Sequence, residues 1–225
     1  METSLIDYTK FRLKPDYEIK EVFEQENRIF ILSCNKCYKR FVDEDEGEYT
    51  QLLEILGADR KKIVGHASID FLCNDFLSEK KILSLDLSNC DSAGVISCGL
   101  GIQFVAQLLD GKPVYALADS VPQGINSTSG VGYHGISLEE EKCAGCGQCY
   151  LNSTAGICPV VECAKGLLNG PCGGARNGKC EVDSDLDCAW VKIYERSQKR
   201  GDRFRLEAVH IRDYSKPPSK FKNDL

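Results

Sequence analysis

Apolar and polar positions follow two alternating patterns along the first 120 residues of the chain. Apolar residues at helical spacing, such as Ile19, Val22 and Phe23, predict amphipathic helices. The predicted helices cover residues 16–27, 46–57, 71–81 and 99–111, the third being the most ambiguous. Short, largely apolar runs predict buried strands over residues 28–34, 61–67, 92–98 and 112–118. This alternation predicts an α/β fold, built as a small Rossmann-like parallel sheet.

Three further segments follow the predicted α/β domain, which we assign to residues 1–120. Residues 121–141 are rich in glycine and serine and lack periodicity, which predicts a linker. Residues 142–200 hold eight of the thirteen cysteines, which is typical of a loop-rich module organised by bound metal, and a helix that begins at Ala189 is expected to cap it. Residues 201–225 form a basic tail, interpreted either as a docking segment or as a solvated end.

The cysteine-rich module begins with a Cys-x-x-Cys-x-x-Cys motif at Cys143, Cys146 and Cys149. Three thiolates at this spacing can hold three irons of a [4Fe–4S] cluster, and a distant cysteine, often one followed by proline, holds the fourth. Cys158 is such a cysteine, but eight residues separate it from Cys149, whereas a bacterial ferredoxin has three. Two clusters would use all eight cysteines, whose pairing the spacing leaves open: Cys143, Cys146, Cys149, Cys158, Cys163, Cys172, Cys180 and Cys188.

Zinc and disulfides are the alternative uses of these cysteines. Cys-x-x-Cys spacing also suits a tetrahedral zinc site, yet zinc ribbons usually pair two such knuckles, and none follows Cys149. Disulfides need an oxidising compartment, and the N-terminus shows no apolar signal-peptide core. The sequence therefore favours iron–sulfur chemistry in a cytoplasmic, reducing location.

A second set of cysteines lies in the α/β domain. Cys34, Cys37, Cys73 and Cys98 follow predicted strands, and the carboxyl ends of parallel strands meet at one edge of a sheet. These four cysteines predict a third [4Fe–4S] cluster. Cys90 precedes its strand, so we expect it at the opposite edge as a buried free cysteine. A redox-active pair of Cys34 and Cys37, of thioredoxin type, is the competing interpretation.

Several other functions are disfavoured. A net charge of -6, with the acids concentrated in the first 142 residues, disfavours nucleic-acid binding. No apolar stretch approaches the ~20 residues of a membrane span. The turn at Gly99 and Gly101 lacks the full dinucleotide fingerprint, and the three histidines are scattered, so no catalytic residue is predicted.

The cysteine-rich region closely resembles the C-terminal domain of methylenetetrahydrofolate reductase, with ICPV, LLNGPCGG, GKCEV and CAW as its landmarks. Upstream, ILSCNKC, DFLCND, VISCGLGIQ and GKPVYAL resemble the N-terminal domain of the small iron–sulfur, MetV-type subunits of that family. Ser33 and Asn35 stand where those subunits typically have glycines.

The resemblance implies a non-catalytic electron-transfer subunit of the kind found in acetogenic one-carbon metabolism. Its expected partner is a flavin-containing, MetF-type catalytic subunit that reduces methylenetetrahydrofolate to methyltetrahydrofolate. Ferredoxin or a further donor protein would supply the electrons. The alternative is a zinc-binding structural or assembly subunit of the same or a related complex.

Overall fold

Strands and helices alternate along the described part of the chain. The computed structural model describes residues 10–35, 47–121, 142–201 and 209–212. In chain order the elements are β1 (Lys10–Leu13), α1 (Asp16–Gln25), β2 (Ile29–Cys34), α2 (Gly47–Leu56), β3 (Ile63–Ile69), α3 (Asp75–Leu83), β4 (Ser92–Ile96), α4 (Gly99–Leu108), β5 (Val114–Ala116), β6 (Ala118–Val121), α5 (Pro159–Glu162) and α6 (Ala189–Arg200). A 3₁₀ helix at Gly57–Lys62 joins α2 to β3.

The main sheet has four strands in the order β3-β2-β4-β5, and all of its pairings are parallel. The prediction of an α/β fold with a parallel sheet is therefore confirmed. The strand order reverses direction between β2 and β4, and parallel sheets place ligands outside the carboxyl ends of their strands at such a point. Cys34 ends β2, and Cys98 lies two residues after the end of β4, directly before α4.

Apolar side chains on the two faces of the sheet form two core clusters. One cluster joins the sheet to α1 and α2 and includes Phe23 and Leu52. The other joins it to α3 and α4 and includes Ile82 and Ile102. All five residues of β4 are buried, because helices cover both faces of the sheet at this strand.

A two-stranded antiparallel ribbon of β1 and β6 lies beside the main sheet and was not predicted. The predicted strand 112–118 divides at Leu117. The N–H of Leu117 donates to Val95 of β4, whereas its carbonyl accepts from Lys14 just after β1. The third predicted helix also begins later, at Asp75, because the side chain of Asn74 accepts the N–H of Leu77 and caps it there.

The cysteine-rich module packs against the α/β domain. Leu151 is buried in the same apolar cluster as residues of α4, β4 and β5, so the module and the α/β domain share part of one core. The side-chain amide of Asn152 bonds both the N–H and the carbonyl of Ala116 in β5. The boundaries at residues 120, 141 and 200 stay predictions, since residues 122–141, 202–208 and 213–225 lie outside the described ranges.

Candidate metal centres

Four of the eight C-terminal cysteines gather at the carboxyl edge of the sheet. We call Cys143, Cys146, Cys149 and Cys158 the inner group. Electrostatic interactions link Cys143 with both Cys149 and Cys158, and link Cys146 with Cys158. Cys149 and Cys158 also pack against the core beside α4. These contacts bring Cys158 near the Cys-x-x-Cys-x-x-Cys motif, and Cys143 also interacts with Cys98 of the α/β domain.

The surroundings of the inner group favour neutral thiols when no metal is bound. Desolvation by the surrounding protein raises the pKa of Cys143 to about 12 and that of Cys158 to about 11. The same cause raises the pKa of Cys149 well above its ordinary value. A metal cation reverses this preference, because a coordinated thiol loses its proton.

Tight turns in the motif direct backbone groups at sulfur. Gly145 and Gly147 have φ values of 56° and 78°, in the left-handed region that favours glycine. The N–H of Gly145 donates to Sγ of Cys143 at 3.4 Å. Hydrogen bonds of this kind are among the factors that set the reduction potential of an iron–sulfur cluster.

The α/β domain contributes polar contacts to the inner group through β6. The carboxylate of Asp119 accepts the N–H of Cys149 at 2.8 Å, and Ser120 Oγ lies 3.5 Å from Sγ of Cys143. Asp119 also pairs with buried Lys14 at 2.9 Å. Burial alone would lower the pKa of Lys14, but the carboxylates of Asp119 and Glu18 outweigh it, so the net pKa is raised and the amine stays charged.

A glycine allows the two parts of the chain to approach closely at this point. A Cβ on Gly99, the first residue of α4, would lie 3.1 Å from Sγ of Cys143. The N–H of Gly99 donates to Ser120 Oγ at 2.7 Å. The start of α4 therefore lies against the inner group.

The remaining four C-terminal cysteines form a separate outer group. Cys163, Cys172, Cys180 and Cys188 line one small cavity next to Trp190. Cys172 is exposed, and its thiol donates to Glu181, which pairs with Lys165. The N–H of Gly174 donates to Sγ of Cys172 at 3.4 Å. Trp190 is buried and donates its indole N–H to the carbonyl of Leu167.

Three of the four N-terminal cysteines can be placed. The thiols of Cys73 and Cys98 are hydrogen-bonded to each other, and the N–H groups of Leu100 and Gly101 also point at Cys98. The bond with Cys73 is the largest cause that lowers the pKa of Cys98, to about 6. Cys34 ends the neighbouring strand β2.

The fourth N-terminal cysteine, Cys37, lies outside the described residues. Cys90, which the sequence analysis left out of the site, is buried before β4, and its thiol donates to Leu87. Lys112, which precedes β5, donates to the carbonyl of Cys90. Cys90 therefore lies at the amino edge of the sheet, as predicted.

Across residues 10–35, 47–121, 142–201 and 209–212, no three side chains of His, Cys, Asp or Glu are close enough together to hold a metal ion. The donor chemistry nevertheless fits an iron–sulfur cluster or zinc, since each C-terminal group offers four thiols and these metals take four thiolate ligands.

The small core of the module also fits a metal-organised segment. Among the described residues, the module's own buried apolar cluster consists of Ile157, Trp190 and Ile193. Bound metal stabilises other small domains that have few apolar residues in their core.

The cysteine-rich module matches a known protein family. Residues 123–215 match the family model described as methylene-tetrahydrofolate reductase C terminal. This part of the chain is similar to a methylenetetrahydrofolate reductase C-terminal domain. This domain contains the inner and outer groups, relates the chain to a methylenetetrahydrofolate reductase complex, and supports its resemblance to the small MetV-type subunit. Comparisons with curated proteins and with solved structures found no match.

Sequence reasoning missed the residues of the α/β domain that contact the inner group. Asp119 and Ser120 follow an apolar strand, and a polar pair at that position in a parallel sheet is a usable signal for a site. Gln103 is a second such signal, because it is a polar residue on the buried side of α4. Among the described residues, no helix combines the length and the apolar character of a membrane span.

Proposed function

We propose that this chain is the electron-transfer iron–sulfur subunit of a methylenetetrahydrofolate reductase complex. In this proposal the inner and outer groups each hold one [4Fe–4S] cluster, and Cys34, Cys37, Cys73 and Cys98 hold a third. The chain passes electrons to the flavin of a MetF-type catalytic subunit and receives them from ferredoxin or another donor protein. A [4Fe–4S] cluster supplies one-electron redox chemistry, which suits a flavin that accepts electrons singly.

The observation that carries this proposal is the separation of eight cysteines into two groups of four. The inner group lies beside β6 and α4, whereas the outer group lines its own cavity beside Trp190. Four thiolates are the ligand set of one [4Fe–4S] cluster, so neither group has a surplus or a missing ligand.

The residues around the two groups suit different positions on an electron path. The four cysteines of the inner group are partly buried, and desolvation raises the pKa of Cys143, Cys149 and Cys158. Exposed Cys172 instead brings the outer group to the protein surface, where a redox partner can approach it. Solvent exposure and hydrogen bonds to sulfur differ between the groups, and both properties tune the reduction potential.

Metal analysis of cysteine variants tests the proposal. Anaerobically purified chain should be brown and contain about four irons for each occupied group. Cys146→Ala should remove the inner group's iron, and Cys180→Ser the outer group's iron. Cys90→Ser is the matched control, because this cysteine is buried at the opposite edge of the sheet and should not change the iron content.

The same measurement separates the proposal from its alternatives. A colourless chain with stoichiometric zinc would overturn the electron-transfer role and support a structural or assembly subunit. Iron that survives Cys146→Ala undiminished would overturn the assignment of the inner group. Iron unaffected by Cys98→Ser in the full chain would remove the N-terminal cluster.

A further inference from the structure

Gln103 is a polar residue on an otherwise apolar side of α4. Only 6% of its surface is exposed, and its buried neighbours on the helix include Ile102, Val105 and Ala106. A buried amide destabilises the fold unless its donors and acceptor have partners. The hydrogen-bond partners of Gln103 therefore explain how a glutamine is accommodated at this buried position.

The side chain of Gln103 connects both ends of the inner group's loop. Its Nε2 donates to the carbonyl of Gly99 at 3.1 Å and to that of Lys142, the residue before Cys143. Its Oε1 accepts the N–H of Cys158 at 3.0 Å. One amide thus bonds the backbone beside the first cysteine and at the fourth. These partners also fix the orientation of the amide, since two carbonyls face its nitrogen and an N–H faces its oxygen.

Cys143 and Cys158 are distant along the chain but must lie close together if they hold one cluster. Closing the loop between them costs conformational entropy. Gln103 holds both loop ends at fixed positions on a helix of the α/β domain, and rigid helices position metal ligands more accurately than loops do. The amide bonds backbone groups of Gly99, Lys142 and Cys158, so its effect on the cysteines acts through the backbone.

We infer that Gln103 is a positioning residue for the inner group, and that the α/β domain thereby completes a metal centre whose ligands all come from the cysteine-rich module. The inference rests on the proposed function for the identity of the metal. It gives the α/β domain a role in the module's chemistry that is separate from its own cysteines.

The test compares Gln103→Leu with Gln107→Leu in the full chain. Gln107 lies one turn further along α4 and is exposed to a cleft of about 740 Å³ between α4 and α6, so it is the matched control. After anaerobic reconstitution with iron and sulfide, each protein is exposed to a chelator. Gln103→Leu should lose the inner group's iron several-fold faster than the wild type, while the outer group's iron and the Gln107→Leu variant are unchanged.

Redox titration gives a readout that a purely structural role would not move. In the leucine variant the N–H of Cys158 loses its acceptor and becomes available to the cluster sulfurs, where an N–H···S hydrogen bond stabilises the more negative reduced state. The midpoint potential of one cluster should therefore rise in Gln103→Leu and stay constant in Gln107→Leu. Equal chelation rates and equal potentials in the two variants would overturn the inference.

Gln103→Glu provides an independent test if the leucine variant folds poorly. The ionised carboxylate of this variant would still accept from Cys158 but would repel the carbonyls of Gly99 and Lys142. Protonation restores a donor, so its iron retention relative to the wild type at the same pH should improve as the pH falls. A ratio independent of pH would count against Gln103 as a positioning residue. Absence of any metal from the wild type would instead refute the proposed function.

Discussion

Hydrogen bonds at the edge of the sheet lower the pKa of the Cys98 thiol. Its hydrogen bond with Cys73 and the N–H groups of α4 favour the thiolate, whereas removal from water favours the thiol. The net effect lowers its pKa from 9.0 to about 6. At Cys143 and Cys158 desolvation outweighs the hydrogen bonds to sulfur, so their pKa values are raised. Neighbouring cysteines therefore differ in the charge they carry without metal.

We predict that Cys98 makes the stability of the metal-free chain depend on pH. Because the folded pKa lies below the unfolded value, this thiolate stabilises the folded state fully above pH 9 and loses its contribution as the pH falls to about 6. The free energy of unfolding, measured by urea denaturation across this range, should rise more steeply with pH in the wild type than in Cys98→Ser.

Cys90→Ser is the control for loss of a buried cysteine, since Cys90 lies at the opposite edge of the sheet. This variant should keep the steeper pH dependence of the wild type. Identical slopes in the wild type and in Cys98→Ser would contradict the prediction.

At the scale of elements, the two ends of α4 contact different parts of the cysteine-rich module. Its first residue, Gly99, lies against Cys143, and Gln103 bonds the loop of the inner group. Near its end, the carbonyl of Ala106 accepts from the buried guanidinium of Arg200, which also donates to Ala155. Helix α6 is therefore tied to α4 through its last residue.

Arg200→Met should destabilise the chain by about 2 kcal/mol or more. The methionine retains an apolar stem but removes two hydrogen bonds from a charged donor to buried carbonyls, each worth about 1.5–3 kcal/mol. Lys199→Met is the control, because Lys199 pairs with Asp110 at the surface, where an ion pair contributes about 0–1 kcal/mol. Chemical denaturation gives the free energy of unfolding of both variants. Equal decreases in the two variants would show that Arg200 does not anchor α6.

At the scale of the whole molecule, the two parts of the chain differ in what stabilises them. Two apolar clusters cover both faces of the sheet, whereas the module has a small cluster around Trp190 and two groups of four cysteines. Leu151 and Asn152 connect the parts through apolar contact and hydrogen bonds to Ala116.

Removal of metal should consequently loosen the module and spare the sheet. Hydrogen exchange, measured by mass spectrometry before and after anaerobic chelation, should show lost protection over residues 142–188 and retained protection in β2 and β4. The ends of β5 should become less protected, because Asn152 no longer holds Ala116. Unchanged exchange over residues 142–188 would mean that apolar packing alone orders the module.

The sequence by itself determined the features that depend on local spacing. Apolar periodicity predicted α1, α2 and the four strands of the parallel sheet, because burial on one or both faces leaves a regular pattern. Cysteine spacing predicted that Cys143, Cys146 and Cys149 belong together. The position of Cys90 before its strand predicted the opposite sheet edge, since the direction of a parallel strand decides the edge.

Only the tertiary structure decided what depends on residues far apart in the chain. It paired β1 with β6, separated the eight cysteines into inner and outer groups, and placed Gln103 and Asp119 beside the inner group. Local patterns carry no record of these contacts. A buried glutamine or a strand-end aspartate takes its role from the partner that folding brings to it, and that partner lies dozens of residues away.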